Sequence, residues 1–240
     1  MQHLSEPAIL SPEMIVDWKR KRGVYNFEAL PGKAIIGLTH HIFSQQLPRF
    51  FPKRIKGIAG THFLHGSYVY CSSFGSGASA LVTLMEELRA LGVKEFIFVG
   101  LCASLVGSIV SGEAFYVERA LSANGITATY VSEKVIAPYD EQYLKSLAEQ
   151  LNLKGTMCVS TDSPFRETPS FIQEVKAEGC KLIEMECAAA YAFSHFYKLK
   201  VACLLVVADQ MDPVWTAPSD MSLLSRVQQQ LVNDIVKSKL

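Results

Sequence analysis

Residues 67–100, SYVYCSSFGSGASALVTLMEELRALGVKEFIFVG, decide the fold of this chain. Ser67 to Ser72, with its Tyr-Val-Tyr core, reads as a short strand. It runs into Phe74-Gly75-Ser76-Gly77-Ala78-Ser79-Ala80, a glycine-rich turn. Behind the turn Leu81, Leu84, Met85, Leu88 and Leu91 recur at helical spacing, with Glu86, Glu87 and Arg89 turned outward. Gly92, which accepts positive φ, stops the helix. Glu95 to Gly100 is a nearly continuous apolar run, the kind buried on both faces of a parallel sheet. Strand, glycine turn, helix, strand is a βαβ unit.

The same alternation extends in both directions. Lys33 to Gly37 reads as a buried strand ending at a glycine, and further strands are predicted at Ala114 to Ala120, Thr156 to Ser160 and Val201 to Ala208. Helices are predicted over Asp140 to Leu151, Ser170 to Glu178, Glu186 to Tyr197 and Ser219 to Lys239. Such alternation implies a single α/β domain with a mainly parallel sheet, spanning residues 33–240. Residues 1–32, with a polar head from Glu6 to Arg22, are expected to be an extension packed on that domain. No internal repeat, linker or low-complexity segment divides it.

Composition bounds the function. Of 240 residues 49% are hydrophobic and 19% charged, too apolar for disorder. A chain of this size buries roughly 70–75% of its unfolded surface, so it needs no disulfide or metal staple. The 23 basic and 23 acidic residues cancel, which argues against a nucleic-acid or membrane-surface binder. No apolar run approaches the ~20 residues of a membrane span. Met1 to Ser11 shows no secretory pattern, so a cytoplasmic location is expected. The six cysteines are spread singly and read as small buried side chains. His195, His62 and His65 have no partners at zinc spacing, and no metal is expected.

In open α/β sheets ligands sit beyond the carboxyl ends of the strands. Those ends carry Gly37 to His41, Phe74 to Ser79, Gly100 to Leu105, Ser160 to Arg166 and Ala208 to Met211, which together form a candidate pocket. The Gly75-Ser76-Gly77 turn offers bare N–H groups at a helix start, fit for an anion or a sugar hydroxyl, though a plain tight turn reads equally well. Glu184-Met185-Glu186 places two carboxylates in an apolar stretch before a helix start of small residues, where an unpaired charge costs several kcal/mol. Function is favoured over an internal ion pair. Asp209 directly follows an apolar strand, as a turn or cap residue or as a general acid.

In this order the motifs resemble the type-I nucleoside phosphorylase family, which includes purine nucleoside phosphorylases, uridine phosphorylase and the methylthioadenosine/S-adenosylhomocysteine nucleosidases. The resemblance covers about Lys33 to Leu240. It rests on Gly37, the Gly75-Ser76-Gly77 turn, a V-G-x-x-x-x-L turn at Val99 to Leu105, Gly112-Glu113, Glu184 to Ala190 and Asp209. It implies a three-layer fold with a mixed, mainly parallel sheet flanked by helices, a small-molecule nucleoside as substrate, and no cofactor. It also implies a homo-oligomer, dimer or hexamer, whose sites borrow residues from a neighbour, and Arg49, Arg54, His62 and His65 lie in a segment that could reach across.

The family mechanism, carried over, gives Glu186 the ribose hydroxyls, with Glu184 beside it, and packs Met185 against the sugar. Asp209 would hydrogen-bond or protonate the leaving purine. The transition state resembles an oxocarbenium ion, so both the positive ribose and the negative base must be neutralised. Cys102, Ala103 and Ser104 of the V-G turn and Phe165 and Arg166 of the Ser160 to Arg166 loop would meet the base, Phe165 by stacking. Gly37, Gly75, Gly77 and Arg49 would form the loop around the nucleophile.

The chain departs from the phosphorylase pattern where phosphate would bind. An Arg after the first strand, an Arg before the V-G turn and a Ser or Thr after it are replaced by His41, Phe98 and Leu101. A phenyl ring cannot replace a bidentate guanidinium clamp. Ala208 and Ala103 also replace a family serine and glycine. Arg166 and Glu167 do not reproduce the uracil-reading Gln and Arg, which favours a purine or modified nucleoside. Cleavage of an N-glycosidic bond by water is the favoured expectation, with His40 or His41 positioning or deprotonating that water. A phosphorylase with an atypical phosphate site, or a nucleoside binder without catalysis, are the alternatives.

Overall fold

The computed structural model describes residues 4, 6–47, 53–212 and 214–238. Ten strands make one mixed sheet, and six α-helices accompany it among the described residues. Strands β1 (Lys33–Gly37), β4 (Tyr68–Ser72) and β5 (Glu95–Ser104) form its parallel centre, with β1 between the other two. Their side chains alternate in the way a sheet covered on both faces requires. Ala34, Ile36, Phe96 and Phe98 join one core with α2 (Ala78–Ala90) and α5 (Cys187–Tyr197). Ile35, Ile97 and Val99 join the other, with α3 (Glu141–Gln150) and α6 (Met221–Lys237). The result is three layers.

The remaining strands are β2 (Lys53–Ile55), β3 (Thr61–His65), β6 (Ala114–Ala123), β7 (Val135–Ile136), β8 (Lys154–Thr161), β9 (Leu182–Glu184) and β10 (Lys200–Gln210). β3 and β2 continue the sheet beyond β4 as an antiparallel hairpin, while β7 pairs with β6. On the other side β5, β10, β6, β8 and β9 pair in turn, and β9 pairs back onto β5, so these five strands close a ring. β1 pairs with β5 up to Val99, and β9 pairs with it from Ala103. Between those partners lie Gly100, Leu101 and Cys102, so the sheet divides there.

Three features differ from the sequence reading. Leu101 to Ser104 are strand, not turn, because β10 and β9 supply partners that the local sequence does not reveal. The hairpin of β2 and β3 and the three-residue β9 were not foreseen. The polar head contains helix α1 (Pro12–Lys21), capped by Ser11 and packed on α2 through Lys19–Glu87 and Arg89–Glu13 ion pairs.

Local chemistry explains how the central elements begin. Gly77 stands at φ +90° at the start of α2, a conformation that side-chain-bearing residues rarely adopt. At the start of α5, Glu184 accepts from the Glu186 N–H at 2.6 Å and the Cys187 N–H at 2.9 Å, and Ser160 Oγ accepts from the Ala188 N–H at 2.8 Å. Three amides at the start of that helix are thereby satisfied within the core. Its small residues Ala188, Ala189 and Ala190 are fully buried against the sheet.

Candidate active site

A cleft of about 660 Å³ opens where the sheet divides. Each of the five strand-end segments named above contributes to it: Leu38, Ser76, Leu101 to Ala103, Pro164 and Phe165, and Ala208, Asp209 and Met211. Ile183 to Glu186 form its side at β9, and Pro218, Met221 and Leu224 close it at the start of α6. Its charged lining is Glu167, Glu184, Glu186 and Asp209; no Lys, Arg or His lines it among the described residues.

Glu184 and Glu186 are tightly held. Glu186 is 3% exposed, and its Oε1 accepts from the Gly77 N–H at 2.6 Å while Oε2 faces the Met185 N–H at 3.3 Å. Burial, reinforced by the neighbouring Glu184 charge, raises its carboxyl to about 7. Glu184 accepts the Ser160 hydroxyl on one oxygen and the amides of α5 on the other. Glu184 thus anchors the start of α5, and both carboxyls line the cleft. Met185, half-buried between them, lines the cavity.

Asp209 owes its aim to a bulge. The β10–β5 register slips between Val207 and Asp209, so Ala208 and Asp209 both line the cleft although regular strand neighbours point to opposite faces. The indole Nε1–H of Trp215 donates to Asp209 Oδ2 at 2.7 Å. Glu167 lines the same cleft, half-buried, its carboxyl raised to about 7 by burial and by the Asp209 charge. Phe165 and Trp215, 96% and 61% exposed, rim the opening as aromatic surfaces free to meet a ligand.

Other predicted residues lie elsewhere. His40 and His41 are exposed on a short 3-10 helix, their rings 4.2 Å apart, and do not line the cleft. Gly37 makes room for the buried Ile42, whose Cδ1 would lie 2.1 Å from an added Cβ. Ser104 is buried and donates to the Val106 carbonyl at 2.7 Å. Arg166 borders a separate depression with Thr161 and Asp162. Gly75 and Gly77 shape the turn while Ser76 between them reaches the cavity. Arg49 lies outside the described residues. Cys102 lines the cleft, but burial raises its thiol well above the usual range, which makes it a poor nucleophile.

The sequence reading did not assign Glu167 and Trp215. Trp215 carried a signal, since an aromatic N–H donor six positions after a strand-end carboxylate can fold back on it. Cys158, Glu184 and Cys187 bring ligand-type atoms within 4.8 Å of one another. Burial holds both thiols protonated and Glu184 already serves Ser160 and two amides, so the cluster works as a hydrogen-bonded core contact.

The cleft lies where the sheet divides, beyond the carboxyl ends of its strands, the place where ligands bind in open α/β sheets. The Phosphorylase superfamily model matches residues 39–237, and the chain belongs to that family. It is 18% identical to the uridine phosphorylase of Vibrio fischeri ES114, with a TM-score of 0.69 over 88% of this chain and 92% of that one. An uncharacterized protein of Acanthamoeba polyphaga mimivirus is 29% identical over 57% of this chain and 54% of its own length. A uridine phosphorylase of Thermococcus kodakarensis is 25% identical over 59% and 58%. A guanosine phosphorylase of Halorubrum lacusprofundi is 24% identical over 59% and 61%. The chain thus spans between half and two thirds of the length of those three relatives. No described helix is long and apolar enough to cross a membrane.

Proposed function

We propose that the chain cleaves the N-glycosidic bond of a purine or modified nucleoside, with water as the nucleophile. The observation that carries this reading is the charge of the cleft, whose ionisable lining among the described residues is entirely carboxylic. A phosphate dianion placed beside Glu186 and Asp209 would find carboxyl groups and no described guanidinium to hold it. A neutral nucleoside and water meet no such penalty. Phe98, where the family pattern has an arginine, is 1% exposed and belongs to the core.

In this reading Glu186 accepts from the ribose hydroxyls and Met185 packs against the sugar. The carboxylates of the cleft stabilise the positive charge growing on the ribose. Asp209 hydrogen-bonds the base end, where negative charge grows and a proton must arrive. An oxocarbenium-like centre is electrophilic enough for water, so the reading does not depend on His40 or His41. The second reading, phosphorolysis, is favoured by the names of the relatives, two of which are phosphorylases. Incubation with a panel of nucleosides, with and without phosphate, separates the two. Free base with free ribose, independent of phosphate, is the expected result; base release that requires phosphate and yields ribose phosphate overturns it.

A further inference from the structure

We propose that Glu167 carries the proton to the departing base, and that Asp209 is the fixed charge that keeps this proton on Glu167. This rests on the glycosidic-cleavage reading above and assigns the acid within it. Both carboxyl groups line the same largely apolar cleft, one on the loop before α4 (Pro169–Ala177), the other at the β10 bulge. A carboxylate in such a place opposes ionisation of a second carboxyl near it, and hydrogen bonding decides which of the two is the better seat for the charge. Asp209 Oδ2 accepts the Trp215 indole N–H at 2.7 Å, a donor that supports negative charge there. The Glu167 carboxyl has no hydrogen-bond donor among the described residues, and it is half-buried.

The proton therefore settles on Glu167, in keeping with the upward push that burial and Asp209 give it. In the reaction the bond between ribose C1′ and the base nitrogen breaks, and its electron pair leaves with the base. The Glu167 O–H gives its proton to the base, leaving a carboxylate. Water adds its oxygen to C1′, and the proton it loses returns to Glu167, so the acid is regenerated and no further reactant is consumed.

The test follows kcat across pH for the wild type, Glu167→Gln and Asp209→Asn, on a purine nucleoside and on p-nitrophenyl riboside, whose leaving group departs without a proton. The Glu167→Gln change is expected to lower kcat on the nucleoside by about 10²- to 10⁴-fold. It should also remove the fall in rate above a pH of about 7. The p-nitrophenyl substrate should be slowed far less. Asp209→Asn should retain that fall but move it to lower pH, because the neighbouring charge is gone. Glu167→Asp keeps a carboxyl and should keep the fall in rate, which serves if the Gln variant does not fold. A Glu167→Gln protein as fast as wild type on the nucleoside, with the pH limb abolished by Asp209→Asn, overturns the proposal and leaves the cleavage reading intact. A wild-type protein that releases base from no nucleoside overturns both.

Discussion

The Gly77 backbone N–H donates to Oε1 of Glu186 at 2.6 Å, joining residues 109 positions apart. The anion attracted by the glycine turn is thus the protein's own carboxylate, which seats Glu186 beside the cleft. Gly77 has φ +90°, and an added Cβ would lie 3.6 Å from Met185 Cε, in ordinary contact. The cost of Gly77→Ala is therefore conformational, about 1–3 kcal/mol. A lowered urea midpoint together with reduced turnover is expected, and an unchanged midpoint would show that the turn tolerates a side chain.

Two carboxyls raised to about 7, Glu186 and Glu167, give stability an unusual pH dependence. In the unfolded chain both release their protons near the ordinary carboxylate value, while in the folded chain they keep them up to about 7. Between these limits the unfolded state binds fewer protons, so stability declines as pH rises and levels off above the window. Urea unfolding from pH 4.5 to 8 should display that decline. Glu186→Gln should flatten it and lower turnover by about 10²-fold or more, since a stabiliser of the transition state is lost.

Ser160 is predicted to matter for folding first. Its hydroxyl donates to Glu184 and accepts from the Ala188 N–H at 2.8 Å. Ser160→Ala leaves a buried carboxylate oxygen and a helix amide without that partner, at a cost of about 1–3 kcal/mol. Thermal unfolding measures the loss. Turnover should fall too, because Glu184 holds the Glu186 amide at 2.6 Å.

Trp215→Phe isolates the indole N–H while keeping an aromatic ring at the rim. Because Trp215 is 61% exposed, overall stability should barely change. The effect should appear in catalysis, as a loss of about 0.5–1.5 kcal/mol of transition-state stabilisation. Steady-state kinetics on the best nucleoside measures it, and an unaltered kcat/KM would mean the Asp209 contact is incidental.

The sheet was legible where strands are long and apolar. β1, β4, β5 and β10 could be read from their runs because burial on both faces leaves a continuous hydrophobic signature. β9 could not, since three residues between a turn and a helix carry no period. The β2–β3 hairpin was hidden by its mixed polar sequence, although His62 within it is fully buried. At the site, Glu184 to Glu186 stood out as carboxylates in an apolar stretch. Glu167 reads as one more polar loop residue beside Ser163, Pro164 and Arg166. Its altered chemistry comes from burial in the cleft and from Asp209, a neighbour only in space.

The closed ring of β5, β10, β6, β8 and β9 has a mechanical consequence. Ala103, Glu184 and Asp209 sit on strands that belong to one circuit of ladders, so the floor of the cleft cannot spread without breaking pairing on two sides. The rim is held more lightly: the loop carrying Trp215 is tied to β10 by the single Gln210–Thr216 bridge, and the loop carrying Phe165 joins no ladder. Adaptation to ligands of different size should therefore fall on the rim, with fast amide exchange there and slow exchange in the floor.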